Sequence, residues 1–169
     1  NIAKKINYYD AEVKSNNFEI RNSFNSNDLN KKNILIFGYG RIGKKIADIC
    51  NFFNMNVFVY DKFLNLENLS KNIKIVKNIK ENLNIYDFIS LHIPYNDSEK
   101  ALIDKSFLDK LKNDCAIINT SRGDLINEKD LINHLKENNN FYAGLDVFNP
   151  EPPTSSNELL KLNNTILTP

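Results

Sequence analysis

The stretch "NILIFGYGRIGKKIADIC", residues 33–50, limits the possible folds of this chain more than any other feature. It begins with a short continuous apolar run, which suits a buried parallel strand. It ends in a segment whose apolar residues recur at the spacing of one helix face, namely Ile42, Ile46, Ile49 and, just beyond, Phe53. Between the two lies a turn with three glycines, Gly38, Gly40 and Gly43. A glycine-rich turn that follows a strand and opens a helix is the context required of a dinucleotide-binding fingerprint.

The rest of the chain alternates predicted strands and helices. Apolar runs predict strands at "NVFVYD", "IKIV", "YDFISLHI", "CAIINT", "FYAGLDV" and "NTILTP". Between them we expect a short helical patch near "NIKENL", a helix in "DKSFLDKLK" capped by Asp104, and a helix in "NEKDLINHLKENN" capped by Asn127. This alternation predicts an α/β fold of the Rossmann type, a doubly wound parallel sheet in three layers. We place this domain at residues 33–169 and interpret residues 1–32 as a leading helix or arm.

Composition sets limits on partners and compartment. At 169 residues, 41% of them apolar, the chain can bury one core of ordinary size. Its 22 basic and 21 acidic residues leave a net charge of +1, which gives no electrostatic reason to expect nucleic acid or a membrane as partner. Cys50 and Cys115 stand alone in apolar segments, away from any metal-ligand spacing, and we interpret them as buried thiols. We expect a cytoplasmic protein without a metal site, although residue 1 is not Met and a targeting segment could precede it.

Each part of the glycine turn has a predicted role in holding a nucleotide. Gly38 would permit the tight turn, Gly40 would let the backbone approach a pyrophosphate, and Gly43 would let helix and strand pack closely. Asp61 closes the next predicted strand, near the position of the ribose-binding acid. A carboxylate there favours NAD over NADP, and the neighbouring Lys62 tempers that preference. The alternative is that the glycines form only a turn and that Asp61 is a solvated loop residue.

Four further stretches carry the remaining glycines and all the prolines: "SLHIP", "INTSRGDLINE", "AGLDVFNPEPP" and "LTP". In a parallel sheet they would lie at the carboxyl ends of strands, the edge at which ligands bind. With the glycine fingerprint, and in this order, they resemble the nucleotide-binding domain of the D-2-hydroxyacid dehydrogenases, the family that includes D-3-phosphoglycerate dehydrogenase. The resemblance runs from about Asp28 to Pro169. Before the first strand the family usually shows a "GxxLxGK"-like approach, whose glycine is missing from "NDLNKKN" here.

The resemblance implies roles for individual residues. Arg122, after the small hydroxyl residues of "NTSRG", matches the family's catalytic arginine, which grips a 2-oxo acid with paired donors. Glu151 in "DVFNPEP" matches the catalytic glutamate that pairs with a histidine, and Asp146 matches the residue that holds the nicotinamide carboxamide. The full set that the resemblance and the fingerprint imply for NAD binding is Gly38, Gly40, Arg41, Ile42, Gly43, Asp61, Lys62, His92, Pro94, Thr120, Ser121, Arg122 and Asp146.

The family's acid–base histidine follows the "TP" that closes the last strand, where this sequence ends at Pro169. His92 belongs to the cofactor loop and His134 to a helix with polar neighbours, so neither replaces it. We therefore expect the sequence to be part of a longer enzyme that transfers a hydride between NAD and a D-2-hydroxy acid or its 2-oxo partner, possibly 3-phosphoglycerate. By resemblance we also expect a homodimer formed through this domain, with the arm as an interface element.

Two alternatives compete with the dehydrogenase. One is an NAD(H)-sensing binding protein like the C-terminal-binding-protein corepressors, which resemble these dehydrogenases and can retain the catalytic residues. The other is a different Rossmann enzyme, such as an adenosylhomocysteinase-like hydrolase, which does not account for "NTSRG" and "DVFNPEP" together.

Overall fold

A computed structural model describes residues 1–23, 26–64, 69–70, 72–96 and 100–169. Its centre is a seven-stranded sheet in which all neighbouring strands are parallel. The strands are β1 (Asn33–Phe37), β2 (Asn56–Tyr60), β3 (Ile73–Ile75), β4 (Phe88–Leu91), β5 (Ala116–Asn119), β6 (Tyr142–Leu145) and β7 (Thr165–Leu167). All seven coincide with the apolar runs that predicted strands, and the Rossmann-type fold is confirmed.

The helices largely follow the prediction as well. They are α1 (Ile6–Lys14), α2 (Arg41–Phe52), α3 (Lys105–Leu108) and α4 (Glu128–Glu137). The side chain of Asp104 accepts the backbone N–H of Phe107 at the start of α3, and that of Asn127 accepts the N–H of Asp130 at the start of α4. The helical patch expected near "NIKENL" is instead a turn followed by a short 3₁₀ helix, Leu83–Ile85. No helix among the described residues has the length and apolar character to cross a membrane.

Strand order determines where a ligand can bind. The order across the sheet is β3-β2-β1-β4-β5-β6-β7, so the chain leaves β1 toward one edge and returns through β4 toward the other. The crevice at the carboxyl ends of β1 and β4 is therefore the point at which the winding direction reverses. The glycine turn follows β1 and the "HIP" loop follows β4, so both line this crevice. The N–H of His92 donates to the carbonyl of Phe37 at 2.8 Å and joins the two strand ends.

Apolar side chains on the two faces of the sheet form separate cores. On one face Leu35 and Phe37 belong to a cluster with residues of β4, α3, α4 and β5. On the other face Ile34 and Ile36 pack with β2 and with the inner side of α2. Cys115 lies in the first core and Cys50 in the second, and burial raises the pKa of the Cys50 thiol to about 11. Both cysteines are free and buried, as interpreted from the sequence.

The face of α2 that packs against the sheet differs from the one that the isoleucine spacing indicates. Its buried residues are the small ones, Gly43, Ala47 and Cys50. Four large apolar side chains stay at least about half exposed on the outside: Ile42, Ile49, Phe52 and Phe53. Small residues allow the helix to approach the strand closely, and this requirement overrides the inward preference of the larger side chains. An apolar outer surface on α2 is the result.

A partly buried ion cluster lies at the amino ends of the strands. The side chain of Asp87 is 11% exposed and lies 2.8 Å from Lys112 Nζ and 3.5 Å from Lys32 Nζ. It also accepts the backbone N–H of Asn33 at 2.7 Å. Burial alone would raise the pKa of Asp87, but the hydrogen bonds and the two lysine charges outweigh it and hold the pKa below its usual value. The cluster joins the start of β1 to the start of β4 and the chain before β5.

Candidate functional site

Two of the three glycines in the turn, Gly38 and Gly43, lie where a Cβ atom would clash with backbone. Gly38 has φ +90°, a left-handed value that L side chains rarely adopt, and a Cβ there would lie 2.6 Å from the carbonyl oxygen of His92. A Cβ on Gly43 would lie 1.9 Å from the carbonyl oxygen of Gly38, so the first turn of α2 rests directly on the loop. At Gly40 a Cβ would meet nothing within 4 Å. The turn is therefore closed on the protein side and open on the side of the crevice.

The N-terminus of α2 faces this open side. Gly40 is its N-cap residue and no side chain caps the helix. The N–H groups of a first helical turn have no partners within the helix, and together with the helix dipole they attract an anion. An open glycine, an uncapped helix start and a crevice at the switch point together fit the pyrophosphate of a dinucleotide.

A cavity of about 770 Å³ lies in front of this turn. It is bounded by the glycine turn, the end of β2, and the loop after β4. Among the described residues its charged lining groups are Lys44, Lys62 and Lys100 on the basic side and Asp61 on the acidic side. An excess of positive charge in a crevice suits an anionic cofactor. The volume is in the range of pockets that hold ligands of cofactor size.

Asp61 follows β2 and is held in place by backbone donors. Its Oδ2 accepts the N–H of Tyr39 at 2.7 Å, and its Oδ1 accepts the N–H of Phe63 at 2.8 Å. Both oxygens are thus anchored, one to the glycine turn and one to the residue that follows Lys62. A carboxylate anchored in this way cannot swing aside without leaving buried or turn N–H groups unpaired. It presents its remaining lone pairs to the cavity, where hydroxyl groups of a ribose would be suitable donors.

His92 and Pro94 form the opposite wall. The ring Nε2 of His92 lies 2.8 Å from the hydroxyl of Ser90, a buried residue of β4. Burial lowers the pKa of His92, so the ring is neutral at neutral pH. A neutral, hydrogen-bonded imidazole lines the cavity without adding charge.

The loop that carries Arg122 follows β5 and is shaped by Asn119. Asn119 is buried, its Nδ2 donates to the carbonyl of Arg122 at 2.7 Å, and its Oδ1 accepts the N–H of Ser121 at 3.1 Å. The hydroxyl of Ser121 donates to the carbonyl of Ile93 at 2.7 Å, which ties this loop to the cavity wall. The guanidinium of Arg122 is exposed and donates to the carbonyl of Ser121. Thr120, between Asn119 and Ser121, is also exposed.

The neighbouring loop follows β6 and carries Asp146 and Glu151. The N–H of Asp146 donates to the carbonyl of Asn119 at 3.0 Å, so the ends of β5 and β6 are in register. The carboxylate of Asp146 accepts the hydroxyl of Thr168, which follows β7. Glu151 is exposed, and its Oε2 lies 3.5 Å from the backbone nitrogen of Phe148.

The structure divides the predicted site residues into two groups. Six of them line the cavity: Gly38, Gly40, Asp61, Lys62, His92 and Pro94. The others lie outside its lining, on the start of α2 or on the loops after β5 and β6: Arg41, Ile42, Gly43, Thr120, Ser121, Arg122, Asp146 and Glu151. The hydrogen bond from Ser121 to Ile93 connects the second group to the cavity, because Ile93 lies between His92 and Pro94 and lines the cavity with them.

Some residues that shape the site carried no predicted role. Tyr39 anchors Asp61 through its N–H, and its hydroxyl is hydrogen-bonded to Ser70 at 3.0 Å. Asn119 determines the shape of the arginine loop. A polar residue that ends an otherwise apolar strand is a signal that could have identified Asn119, whereas nothing in the sequence indicates the partners of Tyr39.

Other candidate centres are weaker. No group of three or more His, Cys, Asp or Glu side chains that could hold a metal occurs in the described part of the chain. His134 is buried on α4 with its ring edge-on to Phe141 at 4.6 Å between centroids, and burial lowers its pKa. It occupies a core position, although polar residues lie near it in the sequence.

Comparison with known proteins agrees with this geometry. The model of the family described as D-isomer specific 2-hydroxyacid dehydrogenase, NAD binding domain, matches residues 1–169. D-3-phosphoglycerate dehydrogenase of Archaeoglobus fulgidus is 34% identical over 168 residues, which make up 99% of this chain and 32% of that protein.

Solved structures of two relatives superpose on nearly the whole chain. D-lactate dehydrogenase of Lactobacillus jensenii, solved with NAD⁺, has a TM-score of 0.85 at 28% identity, over 99% of this chain and 54% of that one. An acyclic imino acid reductase, solved with NADPH and D-Arg, has a TM-score of 0.86 at 34% identity, over 99% of this chain and 52% of that one. The chain thus spans about half or less of the length of these relatives. It belongs to the D-isomer-specific 2-hydroxyacid dehydrogenase family and corresponds to the NAD-binding domain of that family.

Proposed function

We propose that the full-length protein is an NAD-dependent dehydrogenase that interconverts a small D-2-hydroxy acid and its 2-oxo acid. Bound NAD supplies the acceptor or donor of the hydride. The proposal rests on one observation: the crevice of about 770 Å³ in front of the glycine turn and the loops of Arg122 and Glu151 lie at the same end of the sheet. Relatives of the chain are named as dehydrogenases and reductases, which favours an enzyme over a corepressor-like NAD(H) sensor.

The proposed cofactor site uses the residues of the crevice. The glycine turn and the start of α2, with Arg41 and Ile42, would bind the pyrophosphate, and Asp61 would accept ribose hydroxyls. His92 and Pro94 would line the far wall, and Thr120, Ser121 and Asp146 would border the nicotinamide. Because Asp61 is anchored by two backbone N–H groups, we propose NAD as the preferred cofactor, with Lys62 reducing the margin over NADP.

The proposed chemistry needs three groups. Arg122 would hold the carboxylate and the 2-oxo oxygen of the substrate with its planar fork and stabilise negative charge on that oxygen. Glu151 would orient a histidine and favour its protonated form. By family resemblance that histidine follows Pro169 and exchanges the proton of the substrate hydroxyl. Substrate identity, with 3-phosphoglycerate as a candidate, would be decided by the substrate-binding domain.

Turnover by the full-length protein tests the proposal. NADH oxidation is followed with a panel of 2-oxo acids, and NAD reduction with the D and L forms of each 2-hydroxy acid, including 3-phosphoglycerate. Reaction with one or more D forms but not with their L forms is the expected result. Saturable NADH binding without turnover of any acid would instead favour the sensor.

We further propose that the protein is a homodimer formed through this domain. The nine residues of α1 include none that is buried, although Ile6, Tyr8 and Val13 are apolar or aromatic. The outer surface of α2 adds the exposed pair Phe52 and Phe53. Two apolar helix surfaces of this kind are typical of an interface between subunits.

Light scattering on a sizing column measures the dimer directly. Phe52→Glu, at a side chain 83% exposed, should convert the dimer to a monomer. Leu160→Glu, at an exposed apolar residue outside both helices, is the matched control and should remain dimeric.

The proposal includes a cytoplasmic location. The free thiols of Cys50 and Cys115 support it, because unpaired cysteines persist in a reducing compartment.

A further inference from the structure

The loops that carry Arg122 and Glu151 are in direct backbone contact. A Cβ atom on Gly123 would lie 2.1 Å from the carbonyl oxygen of Phe148 and 2.8 Å from the nitrogen of Asn149. No side chain fits between the two loops at this point, so the glycine next to Arg122 lies against the segment just before Glu151. The relative position of the two proposed catalytic side chains therefore depends on this contact.

A side-chain hydrogen bond crosses the same contact. The amide Nδ2 of Asn149 donates to the carboxylate Oδ1 of Asp124. Asp124 is two residues from Arg122, and Asn149 is two residues from Glu151. Neither residue lines the cavity in front of the glycine turn. The side chains of Arg122 and Glu151 are both exposed, so little surrounds them that could hold them. The backbones of the two loops therefore determine the positions of their Cα atoms.

Each loop is also held from within its own strand end. Asn119 holds the arginine loop from within through Arg122 O and Ser121 N. Phe148, which is 9% exposed, anchors the other loop in the core. Between these two anchors, the bond from Asn149 to Asp124 is a side-chain hydrogen bond that connects loop to loop.

We propose that Asp124 and Asn149 are positioning residues that keep Arg122 and Glu151 at a fixed separation. The inference rests on the proposed dehydrogenase function for its effect on turnover. A displacement of about 1 Å in a catalytic group can lower a rate by about 100-fold, so even a partial loosening of the loops would be measurable. Binding of NADH should depend on the pair much less than turnover does, because the proposed pyrophosphate and ribose contacts lie on the glycine turn and at Asp61, away from these loops.

The test uses four forms of the full-length protein: wild type, Asn149→Ala, Asp124→Ala, and the double variant Asp124→Asn with Asn149→Asp. Each single variant should lower kcat by about tenfold or more, with a much smaller loss of NADH affinity. The double variant should recover most of the lost kcat, because it restores one donor and one acceptor. Glu158→Ala, which removes an exposed contact to Lys136 at 2.7 Å elsewhere on the surface, is the matched control and should keep wild-type kcat.

A second measurement does not depend on turnover. Backbone amide hydrogen exchange in residues 121–126 and 146–149 should become faster in both loops when either partner is removed. It should become slower again in the double variant, in which Asp124 and Asn149 are swapped. Unchanged amide hydrogen exchange in the single variants, or single variants with wild-type kcat in an active enzyme, would overturn the positioning role. If the wild-type protein turns over none of the acids but amide hydrogen exchange changes as expected in the variants, the dehydrogenase proposal fails and the coupling of the loops stands.

Discussion

Replacing Asp61 with asparagine should weaken NADH binding and shift the preference toward NADPH. In the structure both carboxylate oxygens accept a backbone N–H, from Tyr39 at 2.7 Å and from Phe63 at 2.8 Å. An asparagine has one acceptor oxygen, and its NH₂ group would face one of these N–H donors. A hydrogen bond to a charged group contributes about 1.5–3 kcal/mol, so losing one of the pair sets the scale of the effect.

That loss corresponds to a decrease in NADH affinity of about tenfold to about 150-fold if the turn must be intact to bind. For NADPH the same loss is offset, because the variant also removes the negative charge that would repel a 2′-phosphate. The ratio of the two dissociation constants should therefore move toward NADPH. Calorimetric titration of the full-length protein with each cofactor measures both constants.

Asp130→Asn is the matched control, because its carboxylate also accepts a backbone N–H, from Lys105 at 2.9 Å, but does not line the cavity. It should leave both affinities unchanged. A folded Asp61→Asn variant with an unchanged ratio would refute the placement of Asp61 at the ribose. An equal loss for the two cofactors would mean that Asp61 acts only by holding the turn.

Four further substitutions test other parts of the molecule. Gly40→Ala should lower the free energy of unfolding by less than about 1 kcal/mol yet weaken NADH binding, whereas Gly43→Ala should lower it by about 2–4 kcal/mol, because only the Cβ at position 43 meets backbone. Urea denaturation measures the stability and titration with NADH measures the affinity. Equal stability of the two variants would contradict the packing argument. Arg122→Lys should lower kcat/KM for the 2-oxo acid by about 100-fold with NADH affinity nearly unchanged, and a large loss of NADH affinity would move Arg122 to the cofactor site. Asp87→Asn should lower the free energy of unfolding by about 2 kcal/mol at pH 7. Because the pKa of Asp87 is lowered in the folded protein, the extra stability of the wild type should be lost as the pH falls below the ordinary value of 3.8. Thermal melts across this pH range, with the exposed Asp114→Asn as control, measure the difference, and a difference that persists at low pH would contradict the role of the Asp87 charge.

Local patterns were enough to predict the architecture. Apolar runs such as "NILIF" and "AIIN" are too short and too continuous for surface helices, and each is bounded by turn residues, so all seven strands could be identified. The caps at Asp104 and Asn127 were predictable because a cap depends on only three or four neighbouring residues. The patch expected near "NIKENL" forms only the short 3₁₀ helix Leu83–Ile85, since a segment this short has too few hydrogen bonds to offset the cost of nucleating an α-helix.

Contacts between distant segments were beyond local patterns. The isoleucine spacing of α2 indicated a helix but not which side meets the sheet, because that depends on how closely Gly43 must approach the turn at Gly38. The bonds from Ser121 to Ile93 and from Asn149 to Asp124 join residues 28 and 25 positions apart. No periodicity in the sequence encodes such pairs.

By itself the sequence determined the order of strands and helices, the position of the glycine turn and the family, since each of these depends on residues close together in the chain. The tertiary structure alone decided that Asp61 is anchored by the glycine turn, that α2 keeps an apolar outer surface, and that the loops of Arg122 and Glu151 touch. The physical reason is the strand order, which brings the carboxyl ends of β1, β4, β5 and β6 side by side after long crossovers. Only once the sheet has formed do these segments become neighbours.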